Sequence, residues 1–326
     1  MRILVTGGAG YVGSHTASLL CKEGYEIIIL DDLSTGHKWA LKGEEFIEGS
    51  LLDESLLNNV FKERNINKVM HFAAKSIVSE SEENPTLYFQ NNVSGSINLF
   101  KAMLKHKVND IVFSSSAAVY GEPVNQEISE DQTKRPINIY GKTKLIIENL
   151  LMDLYKKEGL NSISLRYFNA AGACPEEGLG EAHKVETHLI PNIFNSLIKP
   201  DGKSLKVFGN DYSTKDGTCI RDYIHVKDLA NGHLQSINFL NQNPGCKAYN
   251  LGSGKGFSVS EIINKVTEIT GKEVKFDFED RRDGAPAILL ASIKKIKKEI
   301  GWEPIYSSLD KILLDAYGWH IKYNEQ

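Results

Sequence analysis

The chain has 326 residues, a size that allows one large domain or two ordinary ones with substantial cores. Its hydrophobic fraction of 41% and charged fraction of 25% are ordinary for a soluble globular protein. The formal net charge of −4 argues against nucleic-acid binding, because neutralising phosphates requires an excess of lysine and arginine on one surface.

Neither the start of the chain nor its cysteines indicate export. The first residues, MRILVTGGAG, lack the charged and long apolar regions of a signal peptide, and no apolar run approaches the roughly 18 residues of a membrane span. The four cysteines are scattered without metal-ligand spacing, which favours packing residues in a reducing compartment. We therefore expect a cytoplasmic protein with no membrane, nucleic-acid or metal partner.

The first half of the chain alternates short β-rich runs with helical segments, as in a parallel sheet covered on both faces. The predicted strands are Arg2–Thr6, Glu26–Leu30, Glu45–Glu48, Lys68–Phe72, Asp110–Ser114 and Ser162–Tyr167. The predicted helices are Tyr11–Glu23, Glu54–Arg64, Pro85–His106 and Tyr140–Lys157. They predict an α/β fold with a doubly wound, Rossmann-like parallel sheet, whose ligands lie at the carboxyl ends of the strands.

The alternating pattern ends near residue 170. Glycine, proline and turn signals become denser beyond it, and no second series of β-α-β units is recognisable. We predict a dinucleotide-binding domain over residues 1–170 and a smaller α/β domain over residues 171–326 that binds the substrate.

A glycine-rich loop joins the first predicted strand to the first predicted helix. In ILVTGGAGYVGSH, Gly7, Gly10 and Gly13 allow a tight turn, close approach of a pyrophosphate and tight helix packing, while the helix N-terminus offers N–H donors to the anion. A merely flexible loop is the alternative. The flanking strand and helix favour a dinucleotide site.

Two acidic residues, Asp31 and Asp32, end the second strand run, EIIILDD. A carboxylate at this position accepts hydrogen bonds from ribose hydroxyls and repels a 2′-phosphate, so it favours NAD over NADP. A polar cap after a strand is the competing interpretation.

Small and hydroxylic residues follow two further strands. Ala73 and Ala74 would let a cofactor lie against the backbone, and the run from Ser114 to Ser116 would face the reacting ring. Serines after a strand are usually turn formers, so only their neighbours make these residues candidates for catalysis.

Tyr140 and Lys144 are four positions apart at the opening of a helix, on one helix face. An exposed helix surface supplies such pairs by chance. Beside a nicotinamide, however, the lysine and the cofactor charge would help to lower the tyrosine pKa from about 10, a change of about 4 kcal/mol for three pKa units. Tyr140 would then be the acid/base, Ser116 would bind the same substrate oxygen, and Lys144 would also hold the ribose.

Taken together, the GxxGxxG loop, Asp31, Ser116 and the YxxxK pair resemble the extended short-chain dehydrogenase/reductase family. That resemblance implies an NAD-binding Rossmann domain. It also implies cofactor contacts from further residues: Tyr11, Val12, Ser50, Leu51, Phe72, Asn92, Ser114 and Tyr167.

Within that family, four later stretches closely resemble the UDP-glucose 4-epimerases. They are RYFNAAG (166–172), HLIPNI (188–193), VFGNDYSTKDGTCIRDYIHVKDLA (207–230) and RRDGAPA (281–287). The resemblance implies that the UDP-sugar site is lined by Asn169, His188, Leu189, Val207, Phe208, Arg221 and Arg282. Arg221 and Arg282 have the chemistry of diphosphate clamps, although either could be a surface ion-pair partner.

The chain also departs from its relatives. Ala117 and Ala118 stand where the related 4,6-dehydratases carry extra acids, so water elimination is not expected. Ser50 and Ser76 replace an aspartate and a lysine that contact the cofactor in many epimerases. Ala285 replaces an acid, and Leu289 is small enough to leave N-acetylated sugars possible.

The resemblance implies reversible inversion at C4 of a UDP-hexose through a 4-keto intermediate, with NAD retained throughout. The alternatives are a 4-epimerase of UDP-N-acetylhexosamine or UDP-glucuronate, or a non-catalytic nucleotide sensor. It also implies a homodimer with contacts through the predicted helices Pro85–His106 and Tyr140–Lys157.

Overall fold

The computed structural model describes residues 1–123, 125–198, 204–282 and 286–324. In these ranges the strands are β1 Arg2–Thr6, β2 Glu26–Asp31, β3 Glu45–Glu48, β4 Lys68–His71, β5 Asp110–Ser116, β6 Glu127–Ile128, β7 Asn161–Tyr167, β8 Asn169–Ala171, β9 Leu205–Phe208, β10 Ile220–His225, β11 Cys246–Leu251, β12 Gly256–Ser258, β13 Phe276–Glu279 and β14 Ile288–Ala291. The α-helices are α1 Tyr11–Lys22, α2 Glu54–Arg64, α3 Val78–Glu83, α4 Pro85–Tyr88, α5 Gly95–Lys105, α6 Ile139–Glu158, α7 Leu189–Ile198, α8 Val226–Leu240, α9 Val259–Thr270, α10 Lys294–Ile300 and α11 Leu309–Asn324.

Shorter helical turns complete the list. A π-helical turn at Phe89–Ser94 lies between α4 and α5, so the long helix predicted over Pro85–His106 is interrupted there. Turns of 3₁₀ helix cover Lys38–Ala40, Ala117–Val119 and Pro175–Glu177. None of the helices in the described residues is both long enough and apolar enough to span a membrane.

Seven strands form one sheet in the order β11-β7-β5-β4-β1-β2-β3, and all their pairings are parallel. Strands β2 and β3 extend the sheet on one side of β1, whereas β4, β5 and β7 extend it on the other side. The strand order therefore reverses between β1 and β4. Such a switch point opens a crevice beyond the carboxyl ends of the strands, where ligands bind in open α/β sheets. The predicted Rossmann-like fold is confirmed.

Both faces of this sheet are covered, which explains its continuous apolar strands. Leu4 of β1 packs into the core beneath α2, α5 and α6, whereas its neighbours Ile3 and Val5 pack into the core beneath α1 and α8. Successive side chains of a strand point to opposite faces, so an unbroken apolar run is required here.

The second part of the chain contains two smaller sheets. One has the order β12-β10-β14-β6, with β8 also paired to β10, and the other pairs β13 with β9 in parallel. Helices α7, α9 and α11 cover them with a third apolar core that includes Ile193, Ile262 and Ile312.

The two parts exchange elements across the boundary predicted at residue 170. Strand β11 returns to the large sheet as an edge strand beside β7, and α8 packs against α1. In the other direction, β6 pairs with β14. The sequence pattern does not predict this return, because β11 interrupts its apolar run with Lys247 and Asn250. The division into two domains at residue 170 stays a prediction. It does not account for the strands and helix that each part contributes to the other.

Candidate active site

A cleft of about 1500 Å³ lies beyond the carboxyl ends of β1, β2, β4 and β5 and is closed on its other side by the second part of the chain. From the predicted cofactor set it is lined by Gly7, Gly10, Tyr11, Val12, Gly13, Asp31, Asp32, Ser50, Leu51, Phe72, Ala73, Ala74, Ser114, Tyr140, Lys144 and Tyr167. From the predicted substrate set it is lined by Ser116, Asn169, His188, Leu189, Val207, Phe208, Arg221 and Arg282. One fold therefore brings together residues from distant parts of the sequence.

Asn92 is the exception among the predicted site residues, because it lies behind the cleft. Its amide accepts a hydrogen bond from the N–H of Lys75 at 2.8 Å and donates one to the carbonyl of Lys75 at 3.0 Å. It also donates to Thr143 Oγ1 at 3.2 Å. Asn92 is 1% exposed and holds the loop after β4 against α6, so its expected contact with the cofactor stays a prediction.

The glycine loop fits closely against its surroundings. Gly7 has a positive φ of 73°, and a Cβ there would lie 2.4 Å from the backbone nitrogen of Ala73. A Cβ on Gly13 would lie 2.2 Å from the carbonyl oxygen of Gly7. Helix α1 begins after Gly10 with neither a side-chain cap nor an acid in its first turn. Its first amides are therefore suited to a pyrophosphate, as the sequence predicts.

Asp31 is nearly buried and organises the loops on the cofactor side. Its carboxylate accepts hydrogen bonds from the N–H of Ala9 at 3.0 Å and of Leu33 at 2.9 Å. Burial raises its pKa, while these two bonds oppose the rise. Each carboxylate oxygen keeps a further lone pair, so Asp31 can still accept from a ribose hydroxyl. The loop and the acid together fit a dinucleotide.

Helix α6 places Tyr140 and Lys144. The side chain of Asn138 caps this helix by accepting the N–H of Gly141 at 2.7 Å, which fixes Tyr140 in the first turn. One turn later, Lys144 Nζ lies 5.7 Å from the Tyr140 ring centroid and donates to the carbonyl oxygen of Ser114 at 2.8 Å. The predicted pair therefore lies at the end of β5, on the cleft wall.

Ser116 is the third member of this group. Its Oγ accepts the N–H of Ala118 at 3.1 Å, which caps the turn after β5. It also hydrogen-bonds the Tyr140 side chain and lowers the tyrosine pKa. Ser116 therefore has the turn-forming role that serines commonly have, and in addition faces the phenol.

Burial is the main influence on the charges of the pair in the protein alone. Burial raises the pKa of Tyr140 despite the Ser116 hydrogen bond. Burial also lowers the pKa of Lys144 to about 7, against the opposing effect of Glu148. Removal from water disfavours both ions. The expected lowering of the tyrosine pKa depends on the charge of the nicotinamide as well as on Lys144, so it stays a prediction.

Cationic and aromatic side chains from the second part of the chain also line the cleft. The guanidinium of Arg282 lies 4.2 Å from the Phe208 ring centroid, as in a cation–π contact. Arg221 donates to the carbonyl of Ile220 at 2.9 Å, and Asn169 donates to the carbonyl of Asp222 at 2.8 Å. These two side chains line the cleft and also hold the backbone of β10.

The sequence pattern does not predict the acids that surround His188. Its Nδ1 lies 2.5 Å from Glu181 Oε1 and 3.6 Å from Glu186 Oε1, and His183 lies beside the same two carboxylates. The ligand atoms of these four residues lie within 4.8 Å of one another, a spacing that the mutual ion pairs explain. The alternation of Glu and His in GEAHKVETH was the available signal.

The departures from the family pattern have distinct positions. Ser50, Ser76 and Leu289 all line the cleft, and Ser50 Oγ accepts the N–H of Leu52 at 3.2 Å. Ala285 lies outside the described residues.

Fold and site together define a dinucleotide-dependent enzyme with a tyrosine–lysine pair, of the short-chain dehydrogenase/reductase type. Residues 3–252 match the NAD dependent epimerase/dehydratase family, and the chain belongs to this family.

Three similar proteins extend this assignment along the chain. UDP-glucose 4-epimerase of Halalkalibacterium halodurans is 46% identical over 99% of this chain and 96% of its own length. The structure of UDP-glucose 4-epimerase from Brucella ovis in complex with NAD has a TM-score of 0.94 and 43% identity, covering 97% of each chain. The Bifidobacterium longum enzyme in complex with NAD⁺ and UDP has a TM-score of 0.94 and 37% identity, covering 99% of each chain.

Proposed function

We propose that the chain is an NAD-dependent isomerase that interconverts UDP-glucose and UDP-galactose by reversible inversion at C4, through a 4-keto intermediate. The observation that carries this proposal is the cleft whose lining includes both the tyrosine–lysine pair with Ser116 and the two arginines, Arg221 and Arg282. The full-length similarity to UDP-glucose 4-epimerases supports the same assignment.

The residues of the chain have separate tasks in this reaction. NAD⁺, when bound, accepts the hydride from C4 and returns it. Tyr140 removes the proton from O4 and later gives it back, while Ser116 binds the same oxygen. Lys144 adds positive charge beside the phenol and holds the ribose. The same groups act in the forward and the reverse reaction, because the proton and the hydride removed in the first half of the cycle are returned in the second half.

Inversion requires the sugar to present its other face before the hydride returns. The sugar must therefore be held less firmly than the nucleotide. Arg221, Arg282 and Phe208 are suited to this division, because two guanidinium groups can clamp a diphosphate and the aromatic ring offers a face to uracil.

The direct test is conversion of UDP-galactose to UDP-glucose by the purified protein supplied with NAD⁺ and no reductant. UDP-N-acetylglucosamine and UDP-glucuronate are assayed in parallel to compare the alternative substrates. Preferred turnover of the unmodified hexoses supports the proposal. The epimerase assignment fails if none of the three sugars is converted, and in that case UDP binding without turnover would point to a sensor.

We also propose a cytoplasmic homodimer that associates through the region of α4, α5 and α6. Leu87 on α4 and Ile146, Met152 and Tyr155 on α6 are each at least 37% exposed, an apolar set that a second copy would cover. The four cysteines are free thiols, in keeping with a reducing compartment. Light scattering should give the dimer mass, and Ile146→Asp should shift the protein toward monomer.

A further inference from the structure

A buried polar network lies behind the catalytic pair. Glu148 Oε1 accepts hydrogen bonds from Ser115 Oγ at 2.6 Å and from Arg166 Nε at 2.9 Å. Its other oxygen accepts from Arg166 Nη2 at 2.7 Å, and Arg166 Nη1 donates to the Tyr120 hydroxyl at 2.8 Å. All four side chains are buried. The network joins β5, α6 and β7 at a depth that water does not reach.

The network directly adjoins the proposed catalytic residues. Ser115 lies between Ser116, which faces Tyr140, and Ser114, whose carbonyl accepts from Lys144. Glu148 lies one helical turn beyond Lys144 on α6, and residues at this spacing share a helix face. A single carboxylate therefore contacts the strand that carries the serines and belongs to the helix that carries the tyrosine and lysine.

Glu148 favours the charged form of Lys144 from the same helix face. Burial lowers the lysine pKa to about 7, and Glu148 is the group that opposes the fall. The other titratable neighbours are Tyr140 on the same helix, and His71 of β4, whose pKa is lowered to about 3 so that it is neutral at pH 7. Arg166, from β7, faces Glu148 and is already paired with it.

We propose that Glu148 is a positioning residue for catalysis, which fixes β5 against α6 through Ser115 and keeps Lys144 charged beside Tyr140. The catalytic part of this inference rests on the proposed function. The effect of Glu148 on the charge of Lys144 is independent of the proposed function, because it involves only side chains of this chain.

The competing explanation is an ion pair that serves stability only. Buried pairs are weak evidence for stability, because the cost of removing both charges from water offsets their attraction. A purely structural pair would affect folding without changing the titration of Lys144. The two explanations therefore differ in a measurable quantity.

The test compares Glu148→Gln with Glu130→Gln in the full-length, NAD⁺-loaded protein. Glu130 is a matched control because it belongs to the far end of the same network, where it accepts the N–H of Asn250 at 2.8 Å while Asn250 accepts from Tyr120 at 2.6 Å. Two quantities are measured: the titration of Lys144 by NMR of ¹³Cε-labelled lysine, assigned with Lys144→Met, and kcat and KM as functions of pH.

Glu148→Gln should move the Lys144 titration midpoint down by about one pH unit, since it removes one nearby opposite charge. The alkaline limb of kcat should move in the same direction, with kcat reduced about fivefold at pH 7 and KM nearly unchanged. Glu130→Gln should leave both the midpoint and the limb in place. An unchanged Lys144 midpoint in Glu148→Gln would overturn the proposal.

A second variant covers the case in which Glu148→Gln folds poorly because Arg166 loses its partner. The double variant Glu148→Gln with Arg166→Met removes both buried charges, a change that is often tolerated. The Lys144 midpoint should move in the same direction but by a smaller amount, because the loss of Arg166 removes a like charge that opposes protonation of Lys144. If the midpoint moves but the wild-type protein converts no UDP-sugar, the effect of Glu148 on Lys144 stands and only the proposed function fails.

Discussion

Lys144 is held by the carbonyl oxygen of Ser114, to which its Nζ donates at 2.8 Å, while the Tyr140 ring centroid lies 5.7 Å from the same atom. The end of β5 therefore fixes the ammonium group directly. This arrangement leaves the other donors of the ammonium group for the phenol and for a ribose hydroxyl.

Lys144→Met should therefore lower both the turnover and the retention of NAD. Turnover should fall by about 10²-fold or more because the phenolate loses its neighbouring charge, and NAD should be retained less firmly through gel filtration. Lys142→Met is the matched control, since Lys142 is exposed on the same helix and should leave both properties unchanged. Full cofactor retention in Lys144→Met would contradict the proposed contact with the ribose.

Tyr140→Phe separates the acid/base from the binding groups. Loss of the hydroxyl should lower kcat by about 10²- to 10⁴-fold, because it removes the proposed acid/base beside Ser116, while UDP affinity stays within about twofold. Tyr306→Phe is the control, since Tyr306 is 39% exposed and does not line the cleft. Equal turnover in the two variants would refute the assignment of Tyr140 as the base. Calorimetry with UDP checks the binding.

Local sequence patterns were sufficient for the parts of the site that are close in the chain. Tyr140 and Lys144 share one helix, and Gly7 and Gly13 belong to one strand–turn–helix unit, so backbone geometry alone relates their positions. The doubly wound sheet followed from the same local periodicity. In these regions the predicted bounds differ from the observed ones by two residues or fewer, apart from the π-helical interruption.

Contacts between distant segments could not be predicted in the same way. The sequence predicts a cofactor contact for Asn92, but it does not predict the two hydrogen bonds by which the Asn92 amide holds the backbone of Lys75. Glu148 and Arg166 belong to different elements, and no local pattern states which face of a helix meets which strand. The return of β11 to the large sheet is a similar long-range choice.

Gly13→Ala tests the packing of the glycine loop independently of catalysis. The added Cβ would lie 2.2 Å from the Gly7 carbonyl oxygen, so the turn must move, and the cost should be about 1–3 kcal/mol in the free energy of unfolding. In Gly10→Ala the nearest contact is the same oxygen at 3.3 Å, and the loss should be clearly smaller. Denaturant unfolding of the cofactor-free proteins measures both. Equal losses would mean that the loop is not tightly packed.

The pH dependence of UDP binding tests the acids around His188. Removal of the imidazolium from water lowers the His188 pKa. The carboxylates of Glu181 and, to a smaller extent, Glu186 outweigh this effect and raise the pKa to about 9. Because the pKa is raised, the favourable charge is fully present below the ordinary value of 6.5 and is lost only as pH rises through about 9. UDP affinity should therefore hold steady up to about pH 8 and weaken roughly tenfold above pH 9, the worth of one charge-assisted hydrogen bond.

Glu181→Gln should shift that weakening of UDP affinity toward neutral pH, because the imidazolium loses its nearer carboxylate, 2.5 Å away. Glu158→Gln removes an exposed acid at the far end of α6 and is the matched control, which should follow the wild-type curve. Calorimetric titration with UDP from pH 6 to 10 gives the curves. A transition of equal midpoint in Glu181→Gln and the wild type would show that Glu181 does not control the charge of His188.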